Sequence, residues 1–103
     1  MASEDNYIPL EKLTRRTALL NYALTSLREE LEAVNAYRQR ADDCEDEALK
    51  AIMLHNAGEE TEHASMILEW LRRNDARFGK ELKEYLFTDG PITELEGKAM
   101  GRK

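Results

Sequence analysis

The segment HNAGEETEHASM, residues 55–66, contains several side chains of the types that bind metal ions. It holds both histidines of the chain and three glutamates, which are His55, His63, Glu59, Glu60 and Glu62. Residues three apart on a helix share a face, so Glu60 and His63 are expected to point toward one place. A carboxylate oxygen and an imidazole nitrogen arranged in this way suit a divalent transition metal. The segment therefore predicts a metal site.

Other interpretations of this segment stay open. Glu59 can pair with His63 at a spacing of four, but it lies about 100° from Glu60 and off the apolar stripe of the helix. Glu60 and His63 can also form an ordinary side-chain pair with no metal. His55 and Glu62 are predicted to be surface residues.

Two long helices are predicted to position these residues. Neither Pro nor Gly occurs between Leu10 and Ala41, and apolar residues recur there at spacings of four and three: Leu20, Leu24, Leu27, Leu31 and Val34. The acidic segment 41–48 interrupts the pattern and suits the cap and first turn of a second helix, expected to end near Asn74. A short link between two long helices predicts an antiparallel hairpin.

The rest of the chain predicts shorter elements. Asp75 can cap a third helix over Ala76 to Phe87, and the DGPI sequence that follows predicts a break. Thr93 and Glu96 have the spacing of a capping box for a last short turn. The predicted organisation is a disordered N-terminus at 1–8, a helical domain at 9–96 and a flexible C-terminal tail at 97–103.

A third candidate ligand lies on the first helix. Glu30 follows the same four-three spacing as Ala23, Leu27, Val34 and Tyr37, so it lies at the edge of an apolar seam. A carboxylate buried there without a partner is costly, and a metal ion removes that cost.

Ferritin-like di-iron bundles use one Glu from each of two helices and a Glu-x-x-His pair from each of two others. This chain has half of that set, and two chains related by a two-fold axis supply the whole. The expected fold is therefore all-α: a ferritin-like half-bundle with an antiparallel two-helix hairpin and a short C-terminal helix. Dimerisation would complete the four-helix bundle.

Three further residues near this seam have two interpretations each. Tyr37 can hydrogen-bond a metal-bound carboxylate or solvent, or it can be a tyrosine at the edge of the core with its hydroxyl in water. Glu29 and Glu32 share another face of the helix. They form either a solvated acidic face or a patch that collects cations.

Composition excludes several classes of protein. The 103 residues carry a formal charge of −6, which argues against non-specific binding of nucleic acid. No apolar run approaches the ~20 residues that span a membrane. One cysteine cannot form an internal disulfide, and the polar, acidic N-terminus is unlike a signal peptide. These features predict a cytoplasmic protein.

Five segments resemble the encapsulated ferritins, which are iron-oxidising proteins of bacteria and archaea carried as cargo inside encapsulin shells. The segments are EELEAV (29–34), AYRQRAD (36–42), HNAGEETEH (55–63), LEWLRRNDA (68–76) and YLFTDGPITELE (85–96). The resemblance extends over about residues 8–96. It is specific because it includes the ligand pairs and also the last segment, for which metal chemistry supplies no reason.

The resemblance implies a homo-oligomer, a decameric ring built from dimers, with a di-iron centre across one dimer interface. It implies that Glu30, Glu60 and His63 of both chains bind the metal, with Tyr37 beside the centre. Glu29 and Glu32 fall on the family's metal entrance site. Ala36 stands where close relatives have Trp.

The predicted function is that of a ferroxidase. It would oxidise Fe(II) to Fe(III) with O₂ and deliver iron for mineral storage inside an encapsulin nanocompartment. Ca²⁺, Mn or Zn could also occupy a site of this composition. The alternatives are a metal-binding protein without turnover and a structural helical dimerisation module.

Overall fold

The computed structural model describes the backbone of residues 7–99 and the side chains of residues 7–96. Within that range a short 3₁₀ turn, Leu10–Lys12, precedes four helices, and no strand occurs. The helices are α1 (Arg15–Asp43), α2 (Glu47–Asn74), α3 (Ala76–Tyr85) and α4 (Ile92–Ala99). The predicted all-α class is therefore confirmed. The chain divides into two compact parts, residues 1–70 and residues 71–103.

The first long helix begins at Arg15, five residues later than the absence of Pro and Gly suggested. Thr14 adopts an extended conformation, and its hydroxyl oxygen accepts a hydrogen bond from the backbone N–H of Thr17 at 3.1 Å. This cap satisfies one of the N–H groups that have no partner within the helix. The residues before it form the separate 3₁₀ turn that follows Pro9.

The predicted caps of α2 and α3 are present. Asp46 accepts from the backbone N–H of Leu49 at 2.8 Å, immediately before α2 begins. Asp75 accepts from the N–H groups of Arg77 and Phe78 at 2.9 and 3.1 Å. Both aspartates also place negative charge at a helix N-terminus, where the helix dipole favours it.

Helices α1 and α2 run antiparallel. Glu30 of α1 lies beside His63 of α2. Nearer the start of α1, Leu19 and Tyr22 line a cavity together with α2 residues that follow His63, among them Trp70. Earlier residues of α1 thus face later residues of α2, as the predicted hairpin requires.

Few side chains of this small fold are buried. In the described range the buried apolar residues are Ala41, Ala57, Ala64 and Leu71. Most of these residues are alanines. Small side chains let the helix backbones approach each other, but they bury little apolar area. None of the helices in the described range is long and apolar enough to cross a membrane.

The third helix ends at Tyr85, two residues before the predicted end. Leu86 is extended and Phe87 has a positive φ of 62°, a left-handed conformation that no continuing helix contains. The hydroxyl of Thr88 donates to the backbone oxygen of Tyr85 at 2.6 Å and closes the turn. Left-handed backbone costs a residue with a Cβ about 1–2 kcal/mol, so Phe87 is held there by its surroundings.

The expected capping box at Thr93 and Glu96 is wrong, because α4 already begins at Ile92. Gly90 has a φ of +91°, and the backbone oxygen of Pro91 accepts from the N–H of Glu94 at 3.1 Å. The fixed φ of proline favours a helix start at this point. Helix α4 runs to Ala99, so the first residues of the predicted flexible tail are helical. Residues 100–103 and 1–6 of the predicted disordered ends lie outside the described range.

The close approach of α3 to the end of α2 gives a stability test. A Cβ on Gly79 would lie 2.7 Å from the backbone oxygen of Arg72, whereas a Cβ on Gly58, in the middle of α2, would meet nothing within 4 Å. We expect Gly79→Ala to lower the free energy of unfolding by about 1–3 kcal/mol. Gly58→Ala should raise it by about 0.5–1 kcal/mol, because alanine loses less backbone entropy in a helix.

Urea denaturation of the metal-free chains, followed by circular dichroism, measures both changes. Equal effects of the two substitutions would contradict the close approach at Gly79.

Candidate metal centre

Three side chains from the middle of the two long helices converge. Glu60 and His63 lie one turn apart on α2, and the His63 Nδ1 atom is 2.9 Å from Glu60 Oε1. The same Nδ1 atom is 3.5 Å from Glu30 Oε1 on α1. One ligand atom from each residue lies within 4.8 Å of the other two. In the described part of the chain, this is the one group of three or more His, Cys, Asp or Glu side chains close enough to share a metal ion.

The environment of this cluster fits a cation. Glu30 Oε1 is buried and has no hydrogen-bond partner among the described atoms. A buried acceptor without a donor is costly unless a positive charge neutralises it. Two ligands on opposite sides of a zinc-sized ion lie about 4.2 Å apart, so small side-chain rotations would let all three residues bind one ion.

The cluster is also partly open to solvent. The exposed fractions are 25% for the Glu30 side chain, 26% for Glu60 and 43% for His63. A site enclosed by its own chain would show none of these groups at the surface. The cluster therefore has room for further ligands from another molecule or from water.

The carboxylates of Glu30 and Glu60 lie close together, so each affects how readily the other loses its proton. The pKa of Glu30 is raised above its ordinary value of 4.5, first because protonated Glu30 can hydrogen-bond to Glu60. Burial and the negative charge of Glu60 raise it further, and nearby His63 opposes the rise. A cation bound between the carboxylates would take the place of the shared proton and offset the charge repulsion that adds to this shift.

The carboxylates beside the imidazole of His63 favour its charged form. The pKa of His63 is raised above 6.5, mainly because the ring hydrogen-bonds to Glu60. The charges of Glu30 and Glu60 add to the rise, and burial opposes it. The space between the imidazole and the two carboxylates therefore favours positive charge, which a shared cation would also supply.

This shift predicts how the stability of the metal-free protein depends on pH. His63 binds its proton more tightly in the folded chain, so its contribution is fully present below pH 6.5. We expect the free energy of unfolding to fall as the pH rises from 6.5 through the raised pKa. Denaturation at a series of pH values, with a chelator present, measures this fall.

The matched variant is His63→Ala, which should flatten the dependence above pH 6. Glu81 does not disturb this window, because Arg77 lowers its pKa below 4.5 and its effect lies at acidic pH. A wild-type stability that rises between pH 6.5 and 8 would contradict the geometry around His63.

The structure does not bring the other two acidic candidates into this cluster. Glu29 and Glu32 are both exposed on α1. Glu32 Oε1 accepts from Arg28 Nη1 at 3.2 Å, and both side chains are about half exposed or more. The sequence did not indicate this ion pair, although a spacing of four on a helix allows it.

Tyr37 lies two turns beyond Glu30 on α1 and is half-buried. The guanidinium carbon of Arg40 lies 5.5 Å from the centre of its ring, within the range of a cation–π contact. This contact was also missed from the sequence, because many side chains three residues apart on a helix do not touch.

The remaining residues of the segment 55–66 lie outside the cluster. Glu59, His55 and Glu62 are exposed, and the ring of His63 contacts Glu60 rather than Glu59. The preferred pairing at a spacing of three is therefore the one that the structure contains.

Comparison with known proteins gives one consistent result. A family model described as EncFtn-like matches residues 5–89. An encapsulated ferritin-like protein of Rhodospirillum rubrum is 52% identical over 95 residues, which are 92% of this chain and 68% of that protein. A ferritin-like protein of Thermotoga maritima is 48% identical over 93 residues, which are 90% of this chain and 82% of that protein.

A protein of Nitrosomonas europaea, known from its crystal structure, has a similar fold. Its TM-score is 0.81 and its sequence identity 55%, and the match covers 84% of this chain and 94% of that one. The resemblance to encapsulated ferritins is thus confirmed over most of the chain. Because the family match includes both long helices and the whole Glu30, Glu60 and His63 cluster, the chain belongs to the EncFtn-like family.

Proposed function

We propose that this protein is a ferroxidase that oxidises Fe(II) to Fe(III) with O₂ at a di-iron site between two subunits. The observation that carries the proposal is the cluster of Glu30, Glu60 and His63, in which a buried carboxylate oxygen has no hydrogen-bond partner. The names of the relatives, ferritin-like and encapsulated ferritin-like, support an iron-related function.

The partial exposure of the cluster supports a shared site. One chain supplies two carboxylates and one imidazole, which is half of the ligand set of a ferritin-like di-iron bundle. If two copies meet at a two-fold axis beside the cluster, the two halves combine into four carboxylates and two imidazoles. Such a set would offer one nitrogen ligand for each iron ion and two carboxylates for each.

The residues have separate roles in this proposal. Glu60 would be held in common by the two ions, since a carboxylate can bind through one or two oxygens as the metal charge changes. Glu30 would supply a second carboxylate, and His63 would supply a neutral nitrogen ligand after losing any proton it carries. In the proposed dimer Tyr37 would lie beside the centre and orient a bound carboxylate or water, and Arg40 lies over its ring. Iron is the substrate: two Fe(II) ions would give up two electrons, which with two protons from water would reduce one O₂ to hydrogen peroxide and leave two Fe(III).

We further propose that the product is stored outside this protein. A relative from Rhodospirillum rubrum is named as encapsulated. By analogy, the chain would form a decameric ring inside an encapsulin shell in the cytoplasm, and the shell would hold the mineral.

Oxygen uptake after anaerobic loading with Fe(II) tests the activity. A ferroxidase consumes O₂ in proportion to the iron added, faster than iron in buffer does. Iron that binds without O₂ uptake would instead indicate a metal-binding protein without turnover. Protein that binds no metal, even with Ca²⁺ or Zn²⁺ in excess, would indicate a structural dimerisation module. Anomalous scattering at the iron edge would locate the ions.

We propose that Glu29 and Glu32 form an iron entrance site rather than part of the centre. At 100° per residue they lie about 100° and 200° from Glu30, so they cannot bind the same ion without distorting the helix. Both are exposed, where carboxylates attract cations weakly and salt screens the attraction over about 8 Å. A cation must also compete with Arg28 for Glu32.

The double variant Glu29→Ala/Glu32→Ala should keep iron at the cluster of Glu30, Glu60 and His63. Its initial oxidation rate should change by about two- to tenfold, because the exposed charges that steer iron to the site are lost. Stopped-flow absorbance of Fe(III) at low and high salt measures this, because the difference from wild type should shrink as salt increases.

A matched control is Asp42→Ala/Glu45→Ala, which makes the same charge change with the same spacing at the α1–α2 turn. Asp42 is about 18 Å along the helix from Glu30, so this control should leave the rate near wild type. A double variant of Glu29 and Glu32 whose inner site holds no iron would contradict the division between entrance and centre.

A further inference from the structure

One further polar residue lies on the face of α2 that carries the metal ligands. Asn56 lies one turn before Glu60. At 100° per residue it is about 40° around the helix from Glu60 and about 20° from His63, so it points to the same side as both. The residue is half-buried. An amide at such a place needs a hydrogen-bond partner once the face is covered.

Tyr37 holds the matching place on α1. It lies seven residues after Glu30, which brings it back to within about 20° of the same face. Glu30 lies beside His63, and the two helices run antiparallel. Seven residues onward along α1 therefore correspond to seven residues back along α2. The residue seven before His63 is Asn56, so Tyr37 and Asn56 lie opposite each other.

A second contact agrees with this register. Ala23 lies seven residues before Glu30, and Trp70 lies seven residues after His63. Both line one cavity of about 410 Å³. The two helices therefore keep the same register for two turns on the other side of the cluster.

Neither polar group is committed elsewhere. Within residues 7–96, the Asn56 amide and the Tyr37 hydroxyl form no hydrogen bond with another residue. Both residues are half-buried, so solvent reaches these groups in the single chain. Arg40 lies over the face of the Tyr37 ring, and this contact leaves the hydroxyl at the edge of the ring able to bond elsewhere.

A second copy at the cluster would remove that solvent. An interface of standard size covers about 800 Å² of each partner, which is a disc of about 16 Å radius. Tyr37 is about 10 Å along α1 from Glu30, and Asn56 is about 6 Å along α2 from Glu60. Both therefore lie inside an interface centred on the cluster, where an amide or a hydroxyl without a partner is costly.

We propose that Asn56 is a positioning residue for the metal centre, and that its side-chain N–H donates a hydrogen bond to the Tyr37 hydroxyl oxygen of the same chain in the assembled protein. The inference rests on the proposed ferroxidase centre between two subunits. An asparagine has two N–H donors, and a phenol can accept one hydrogen bond while it donates another. With its oxygen held by Asn56, Tyr37 directs its own O–H toward a metal-bound carboxylate or water. Supporting hydrogen bonds around metal ligands are worth about 10–100-fold in metal affinity or activity.

Asn56→Leu tests the role of the amide, because leucine has a similar size, favours the helix and forms no side-chain hydrogen bond. Its initial rate of Fe(II) oxidation should fall at least about tenfold, with the same assembly as wild type in native mass spectrometry. The matched control is Asn35→Leu, at an exposed position of α1 whose side chain accepts from Gln39 at 3.0 Å. It should keep the wild-type rate. Equal rates of the two variants, or an Asn56→Leu protein that no longer assembles, would overturn the proposal.

A double-mutant cycle with Tyr37→Phe distinguishes positioning from a purely structural role. If Asn56 acts through the Tyr37 hydroxyl, Asn56→Leu should change the rate by less than about twofold in a chain that already carries Tyr37→Phe. A structural role of Asn56 predicts instead that the two losses multiply. Losses that multiply would therefore count against the hydrogen bond.

A spectroscopic measurement tests the same hydrogen bond without turnover. The Raman doublet of tyrosine reports whether the hydroxyl oxygen accepts a hydrogen bond or the hydroxyl only donates one. Subtracting the spectrum of the corresponding Tyr37→Phe protein isolates this residue among the four tyrosines. In the Zn²⁺-loaded protein the doublet of Tyr37 should show an accepting oxygen, and Asn56→Leu should change it to that of a donor alone. An unchanged doublet would show that Asn56 is not the donor.

These measurements separate the hydrogen bond from the proposed function. If wild type takes up no O₂ but the doublet changes with Asn56→Leu, the ferroxidase is wrong and the hydrogen bond stands. If wild type consumes O₂ and the doublet does not change, the hydrogen bond is wrong and the ferroxidase stands.

Discussion

Replacing His63 by alanine is expected to slow Fe(II) oxidation at least about 100-fold while leaving the helix content unchanged. The substitution removes the nitrogen ligand contributed by each chain, and in the proposed dimer that is both nitrogen ligands of the site. Loss of groups that merely support a metal ligand already costs 10–100-fold, so loss of the ligand itself should cost no less. Stopped-flow absorbance of Fe(III) and far-ultraviolet circular dichroism measure the two quantities.

The chain contains its own control for this variant. His55 lies two turns earlier on the same helix and is exposed, away from the cluster. His55→Ala makes the same chemical change and should oxidise iron at the wild-type rate. The assignment of His63 would be wrong if both variants lost activity equally or if neither did.

Removing metal is expected to break the proposed assembly into monomers or small species, and adding Fe(II) or Ca²⁺ is expected to restore larger ones. Two chains that meet at the cluster bring four carboxylates together. Within one chain the pKa of Glu30 is already raised, first by its hydrogen bond with Glu60 and then by burial and the negative charge of Glu60. An ion that binds only the assembled state, at 100 times its Kd, favours assembly about 100-fold. Native mass spectrometry with a chelator and after titration of Ca²⁺ measures the change.

Glu30→Gln is the informative companion variant, because it keeps the shape of the side chain and removes one repelling charge per subunit. It should assemble more readily than wild type in the chelator and respond less to added cation. Identical size distributions of wild type with and without metal would show that the cluster does not lie at an interface.

Much of the local structure was predictable because it depends on near neighbours in the chain. The pairing of Glu60 with His63 follows from a spacing of three on a helix. The caps at Asp46 and Asp75 follow from aspartates placed just before apolar stripes. The errors also have local causes. The cap at Thr14 delays α1, and Gly90 with Pro91 starts α4 one residue before the predicted cap.

Other features depend on contacts between elements that are distant in the sequence. Glu30 lies 30 residues before Glu60, and no rule about spacing alone sets the register of α1 against α2. Three features could be seen only once the side chains had positions. Glu30 Oε1 is buried without a hydrogen-bond partner, and the pKa values of Glu30 and His63 are raised. Glu32 forms an ion pair with Arg28.

By itself the sequence determined the helical class, the hairpin and the helix face that carries each candidate ligand, because the period of an α-helix converts spacing directly into direction. The sequence predicted a site shared by Glu30, Glu60 and His63, but only the tertiary structure brought the three side chains within reach of one another, since their convergence depends on how two helices pack. The tertiary structure alone also decided that Gly79 lies against the Arg72 carbonyl and that Phe87 is strained and exposed. These features depend on the path of the chain after each helix ends. Many such paths are locally possible, and the packing between helices selects one of them.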